Sequence, residues 1–227
     1  AIRRGLRASI QAQGYPEPYD DYWHPAADLD EARRILEGAW SLIRADDAPG
    51  ALRVLEAITE EYLEPPDALD LEMMGDYGGE LLDFFEEVGA ALTEALLSVE
   101  LTPDEREDYG AKLDVWLGEF GEYAVGDTFG AAYRAVEQGW SYPSLVRVLE
   151  GEIPDDAFFD ELFGQPLIIA RLNVLDRRGR HEEYLRLSAA AGEDTSHAIM
   201  LARLGRSEEA VEYALSEEET TTPVPPA

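Results

Sequence analysis

The sequence contains no cysteine. Neither a disulfide framework nor a thiolate zinc site can form within it. It has one lysine, Lys112, so arginine supplies every other basic residue. Histidine occurs only at His24, His181 and His197, with no HExxH motif and no close pair. No apolar run approaches the roughly 18 residues of a membrane span, and no signal-peptide pattern opens the chain. The first residue is Ala1 rather than Met, which reads as a fragment or a processed product. We therefore expect a cytoplasmic protein that holds no metal or cofactor with its own residues.

What is present is acid and helix-forming text. The 227 residues include 49 Asp+Glu against 18 Lys+Arg, a net charge of −31. Apolar residues make up 45% and aromatics 10%, enough apolar surface to offset the entropy of ordering. The length suits one large domain or two small ones. So anionic a chain is repelled by nucleic acid and by anionic membranes unless a basic patch intervenes. The one such patch is Arg3, Arg4 and Arg7, with no acid before Glu17. It reads either as a phosphate contact or as a solvated first turn at helical spacing. The acid excess with scarce lysine fits a salt-rich cytoplasm, or a GC-rich genome that favours arginine codons.

Helical periodicity dominates the middle of the chain. Asp28 and Glu31 form a capping-box pattern ahead of Leu29, Ala32, Leu36, Ala39 and Ile43, which step by threes and fours. The stretch Asp46 to Gly50 reads as a turn, followed by a stripe of Leu52, Leu55, Ile58 and Tyr62 that Pro65 and Pro66 stop. Leu81, Phe85, Val88, Leu92 and Leu96 form a third stripe, with Gly89 marking a close contact or a loss of stability. Thr102-Pro103-Asp104-Glu105 starts a fourth helix carrying Tyr109, Leu113, Trp116, Phe120 and Tyr123. Phe129, Tyr133, Val136 and Trp140 follow, and Pro143 opens a short helix with Leu145, Val146, Val148 and Leu149. The expected organisation is an N-terminal helix and aromatic strap over 1–27, a helical lobe over 28–150 and a connector over 151–165. Helical hairpins over 166–217 and a tail over 218–227 complete it.

An internal repeat lies in the last third. Leu175-Asp-Arg-Arg-Gly179-Arg-His-Glu-Glu-Tyr184-Leu aligns with Leu201-Ala-Arg-Leu-Gly205-Arg-Ser-Glu-Glu-Ala210-Val at an offset of 26 residues. Each copy reads as a helix ended by a left-handed glycine and followed by a second helix. Such hairpins bury their apolar faces by stacking on one another. The offset is shorter than that of a tetratricopeptide repeat (TPR), so the array is TPR-like. The expected fold is all-α, made of stacked antiparallel helical hairpins in an α-solenoid-like arrangement through the chain.

The order of these segments resembles the α-helical region that accompanies the zinc finger in prokaryotic SWIM zinc-finger proteins. The stretches that carry the likeness are IRRGLR, YDDYWH, DAPGALRVLEAITEEYLE, GELLDFFEEVGAALTEALLS and LTPDEREDYGAKLDVW. EQGWSYPSLVRVLEGEI and LDRRGRHEEYLRLSAAAGEDTSHAIMLARLGRSEEAVEYAL follow, so together they span most of residues 2–217. The resemblance implies a scaffold or partner-binding module beside a finger with a Cys-x-Cys…Cys-x-His ligand set. No residue of this chain can be assigned to that set. Zinc is expected only in a separate segment of a longer protein.

The chemistry of catalysis is sparse. The acid doublets Asp20/Asp21, Asp46/Asp47 and Asp155/Asp156 lack EF-hand spacing. Ser196 and His197 are neighbours whose side chains point about 100° apart on a helix. Gly75 to Gly79 lacks the Lys-Ser/Thr of a phosphate-binding loop. The segment YPEPYDDYWH gathers Tyr15, Tyr19, Tyr22 and Trp23 among prolines and acids. These aromatics read as a recognition surface for a protein or as a strap over the first hairpin. Overall the sequence points to a non-enzymatic protein-interaction module with a basic protein partner. An acidic mimic of nucleic acid, occupying a DNA-binding protein, is the other reading.

Overall fold

The computed structural model describes residues 29–63, 78–121, 128–152 and 165–220. Among these residues the chain is all-helical, with ten helices and no strand. It divides into two compact units, residues 1–139 and residues 140–227.

The first unit contains α1 (Asp30–Arg44), α2 (Ala48–Leu63), α3 (Gly78–Ser98), α4 (Pro103–Gly121) and α5 (Gly130–Gln138). Leu29, Ala32, Leu36, Ala39 and Ile43 are all buried, so the stripe read from their spacing is the face α1 turns inward. α1 begins at Asp30 with Leu29 in the cap position and no side-chain cap bond, while Asp28 lies outside the described residues. The turn after α1 is shorter than Asp46 to Gly50, because α2 already starts at Ala48. Asp47 makes that possible by accepting the Gly50 N–H on Oδ1 at 2.9 Å, as an N-cap does.

α1 packs on α2 and α3, α2 on α3, and α5 on both α3 and α4. Leu36, Ile43, Leu55, Ile58, Phe85, Val88, Leu92, Leu113, Trp116, Phe129 and Val136 share one core. Phe129 is central to its aromatic part, 6.4 Å from Phe85 in an edge arrangement and 5.7 Å from Trp116. Gly89 is the close contact. A Cβ there would lie 2.2 Å from the Thr128 carbonyl oxygen, so only glycine lets the start of α5 approach α3. The capping box at the head of α4 is also formed. The Thr102 N–H donates to Glu105 Oε2 at 2.8 Å, and the Glu105 N–H donates back to Thr102 Oγ1 at 3.3 Å.

The second unit contains α6 (Pro143–Glu150), α7 (Gln165–Arg177), α8 (His181–Ala190), α9 (Asp194–Arg203) and α10 (Ser207–Thr220). α8 packs on α6, α7 and α9, and α9 packs on α10. Leu145, Val148 and Leu149 of α6 join Ile168, Leu172, Leu175 and Leu187 in one core. α6 lies within the expected lobe 28–150, and its apolar face is buried by α7 and α8 in the unit that begins at Trp140. Residues 153–164 of the expected connector lie outside the described residues. Trp140, expected in line with the α5 stripe, packs against the core of the second unit under the Arg180 guanidinium, 5.4 Å from its ring.

Candidate interaction surface

Every site residue singled out from the sequence lies in 1–28, outside the described residues. Arg3, Arg4, Arg7, Tyr15, Tyr19, Tyr22 and Trp23 are thus not brought together by any described geometry. The stripe residue Trp116 is buried, Tyr133 is partly buried, and Phe120 falls among side chains outside the description.

The described surface of most interest is built by α8, α9 and α10. Their starts, His181, Asp194 and Ser207, are thirteen residues apart, as are the glycines that precede them, Gly179, Gly192 and Gly205. All three glycines have φ between 67° and 76°. Their hydrogen bonds match as well. The Gly179 N–H reaches the Asp176 carbonyl and the Arg180 N–H reaches Leu175. Gly192 and Glu193 repeat this on Ala189 and Ser188, and Gly205 and Arg206 on Ala202 and Leu201. Each is a Schellman ending, which closes orphan carbonyls and needs a left-handed residue. The offset of 26 residues is therefore two half-repeats of one helix and one turn each.

Two aligned turns carry matching ion pairs. Arg180 grips Glu183 with two bonds, and Arg206 grips Glu209 in the same way at 2.8 and 2.6 Å. Two further pairs run from the earlier hairpin to the later one. Arg203 binds Asp176 with both terminal nitrogens at 2.7 and 3.2 Å, and Arg206 reaches Glu182 at 3.3 Å. In both, the acid belongs to the earlier helices and the arginine to the later ones.

A polar chain lies inside these helices. His197 Nδ1 sits 2.9 Å from Ser188 Oγ and 3.0 Å from the Leu185 carbonyl. The Ser188 hydroxyl also donates to that carbonyl at 3.1 Å. Tyr213 stacks on His197 with ring centroids 4.2 Å apart, and its hydroxyl donates to Asp194 at 2.8 Å. Burial holds the His197 imidazolium below its ordinary range, with Arg206 acting in the same direction and Leu185 and Asp194 opposing. The sequence pairs His197 with Ser196, whereas the fold pairs it with Ser188, nine residues earlier across the Gly192 turn. Gly192 was the signal that could have shown this. A serine beside a histidine suggests a nucleophile, but Ser188 is fully buried and no substrate can meet its oxygen. The pair fastens α8 to α9.

Other polar features have structural roles. Lys112 pairs with Glu56 at 3.0 Å and lies over the Tyr109 ring, tying α4 to α2. Burial, aided by Glu56, raises the Tyr109 phenol well above its usual range. Arg171 of α7 is fully buried, and burial lowers it to about 10. Among the described residues no group of three or more His, Asp or Glu side chains is placed to hold a metal ion. Among them, too, no helix is long and apolar enough to cross a membrane. A polar groove lined by Asp30, Arg33, Arg34, Glu37 and Glu87 is wide open to solvent.

Among the described residues, Val115 of the first unit and Ile199, Val211 and Leu215 of the second are large apolar side chains more than half exposed. Val211 and Leu215 are four residues apart on α10 and share a face. The chain matches no protein-family model, no curated protein and no solved structure.

Proposed function

We propose that this chain is a non-enzymatic helical scaffold that binds a protein partner through an array of TPR-like hairpins. The observation that carries the reading is the thirteen-residue succession of helix and glycine turn over α8, α9 and α10. In the first unit α1 touches α3 and α3 touches α5, next-but-one contacts of the kind that stacked hairpins make. Such arrays expose a continuous helical surface, and a −31 chain steers basic partners toward it.

The likeness to SWIM zinc-finger proteins supports the reading that the scaffold accompanies a zinc finger whose ligands are not in this chain. Four ligands of the Cys-x-Cys…Cys-x-His type in the same reading frame would support that part of the proposal. The binding reading is tested by pull-down from native lysate at low salt. One identified basic protein, released by moderate salt, is the expected result. Recovery of no specific partner at any salt would count against it. Competition with DNA for a DNA-binding protein would instead favour the mimic of nucleic acid.

A further inference from the structure

The two aligned hairpins let each residue of α10 be compared with its counterpart on α8. Leu185 and Ser188 of α8 are 5% and 0% exposed: Leu185 shares a core with Met200 and Leu201 of α9 and Ala210 of α10, and Ser188 bonds His197 of α9. Their counterparts 26 residues later are Val211, 59% exposed, and Ala214, also exposed. The face that receives the next hairpin on α8 thus recurs on α10, where it is exposed among the described residues, and Leu215, 58% exposed and four residues on from Val211, lies beside it.

Charge specifies the occupant. Glu182 on α8 takes Arg206 from the hairpin that follows it, and Asp176 takes Arg203. Glu208 is the counterpart of Glu182, and both Glu208 and Glu212 are exposed beside Val211. A helix seated on this face needs an apolar stripe flanked by arginine. A second copy of this chain would set the same patch, Glu208 and Glu212 included, against this one, since a twofold contact uses the same surface on both sides. We infer that the Val211, Ala214 and Leu215 face of α10 is the docking site for a cationic amphipathic helix of a partner protein. The inference rests on the reading of the chain as an interaction module and deepens it.

The test uses the full chain and two labelled synthetic peptides of about 18 residues, long enough for five helical turns. One has leucines at helical spacing flanked by arginines. The other has the same composition in scrambled order, so it measures attraction by charge alone. Fluorescence anisotropy at about 150 mM salt keeps surface attraction short in range. The patterned peptide is expected to bind about tenfold more tightly than the scrambled one. Val211→Ser with Leu215→Ser removes about tenfold of that affinity, as loss of a central apolar anchor does. Ile199→Ser, also exposed but not aligned with α8's covered face, leaves it unchanged. Glu208→Gln lowers affinity about threefold and flattens its salt dependence.

Equal binding of both peptides, or equal binding by the double-serine variant, overturns the inference. So does no binding of the patterned peptide. A dimer by sedimentation that the double-serine variant abolishes assigns the face to a second copy and overturns it as well. In each of these cases the scaffold reading stands or falls separately, on the pull-down of the full chain. Helical circular dichroism of each variant shows that the fold is retained.

Discussion

Arg186 on α8 donates from its guanidinium to the Leu149 carbonyl at the end of α6, at 2.6 Å. Arg106 on α4 does the same for Val136 near the end of α5, at 2.7 Å. Helices leave their last carbonyls without partners and carry a partial negative charge there, so a cation from another helix answers both. Each arginine runs beside a glycine of positive φ. A Cβ at Gly139 would come within 3.0 Å of the Arg106 guanidinium, and one at Gly151 would contact Arg186 at 3.6 Å.

Arg186→Met keeps the aliphatic stem and deletes the bond. The loss should be about 1–3 kcal/mol, the range for a partly buried hydrogen bond to a charged donor. Urea unfolding followed by far-UV circular dichroism measures it. Arg186→Lys should recover part of the loss, because an ammonium keeps the charge but not the planar fork. A methionine variant as stable as the parent would show that water replaces the guanidinium.

Gly89 and Gly38 offer an opposed pair. A Cβ at Gly89 would meet the Thr128 carbonyl at 2.2 Å, whereas one at Gly38 meets nothing within 4 Å. Gly89→Ala must push α5 away from α3 and should cost about 1–3 kcal/mol, as overpacking does. Gly38→Ala on the exposed side of α1 should add up to about 1 kcal/mol, because alanine loses less backbone entropy in a helix. Thermal melts of the two variants should move in opposite directions. Equal shifts would mean that the α3–α5 approach is looser than the geometry states.

Much of this architecture was legible because single residues carry local signals. The α1 stripe, the Thr102 capping box and the left-handed Gly179 and Gly205 each follow from short-range chemistry. The Gly192 turn was harder to see. A Schellman ending needs only its glycine, and the flanking Ala-Ala-Ala-Gly-Glu shares no side chains with Leu-Asp-Arg-Arg-Gly-Arg. Allegiance was also hidden. The spacing of Leu145, Val148 and Leu149 gives α6 an apolar face but does not say which helices cover it. The aromatic and arginine candidates of residues 1–28 lie outside the described residues. The α10 face stands out instead by a burial that differs between aligned helices, a quantity that sequence alone does not contain.

The three glycine turns predict a uniform series. Gly179→Ala, Gly192→Ala and Gly205→Ala each put a Cβ on a left-handed residue, at about 1–2 kcal/mol apiece. None of the three has a neighbour within 4 Å of the added carbon, so the cost is conformational and should be similar at all three. Asp46 has φ 62° without being glycine, and the same ending follows α1 there, with the Asp46 and Asp47 N–H groups bonded to Ile43 and Leu42. Asp46→Gly should therefore be neutral or stabilising, while Asp46→Ala should lose stability. A cost at Gly192 well below that at Gly179 and Gly205 would remove it from the series.

His197 makes the second unit sensitive to mild acid. Its folded-state pKa lies below the ordinary 6.5 because burial disfavours the imidazolium. Above pH 6.5 the ring is neutral in both the folded and the unfolded chain, so its contribution is fully present. As pH falls below 6.5 the unfolded chain takes up a proton that the folded chain resists. Stability is then lost with falling pH until the lowered folded value is passed. Most exposed carboxylates titrate below about pH 5, so the window from there to neutrality reports the histidine. Urea midpoints across that window should fall with pH for the wild type. His197→Phe keeps a ring for Tyr213 to stack on and leaves the Ser188 hydroxyl bonded to the Leu185 carbonyl, but it cannot titrate. Its midpoint should start lower, for want of the Nδ1 bond, and stay flatter through the window. A phenylalanine variant with the wild-type slope would mean that the proton is taken up elsewhere, and His197 would then hold α8 to α9 without reporting on pH.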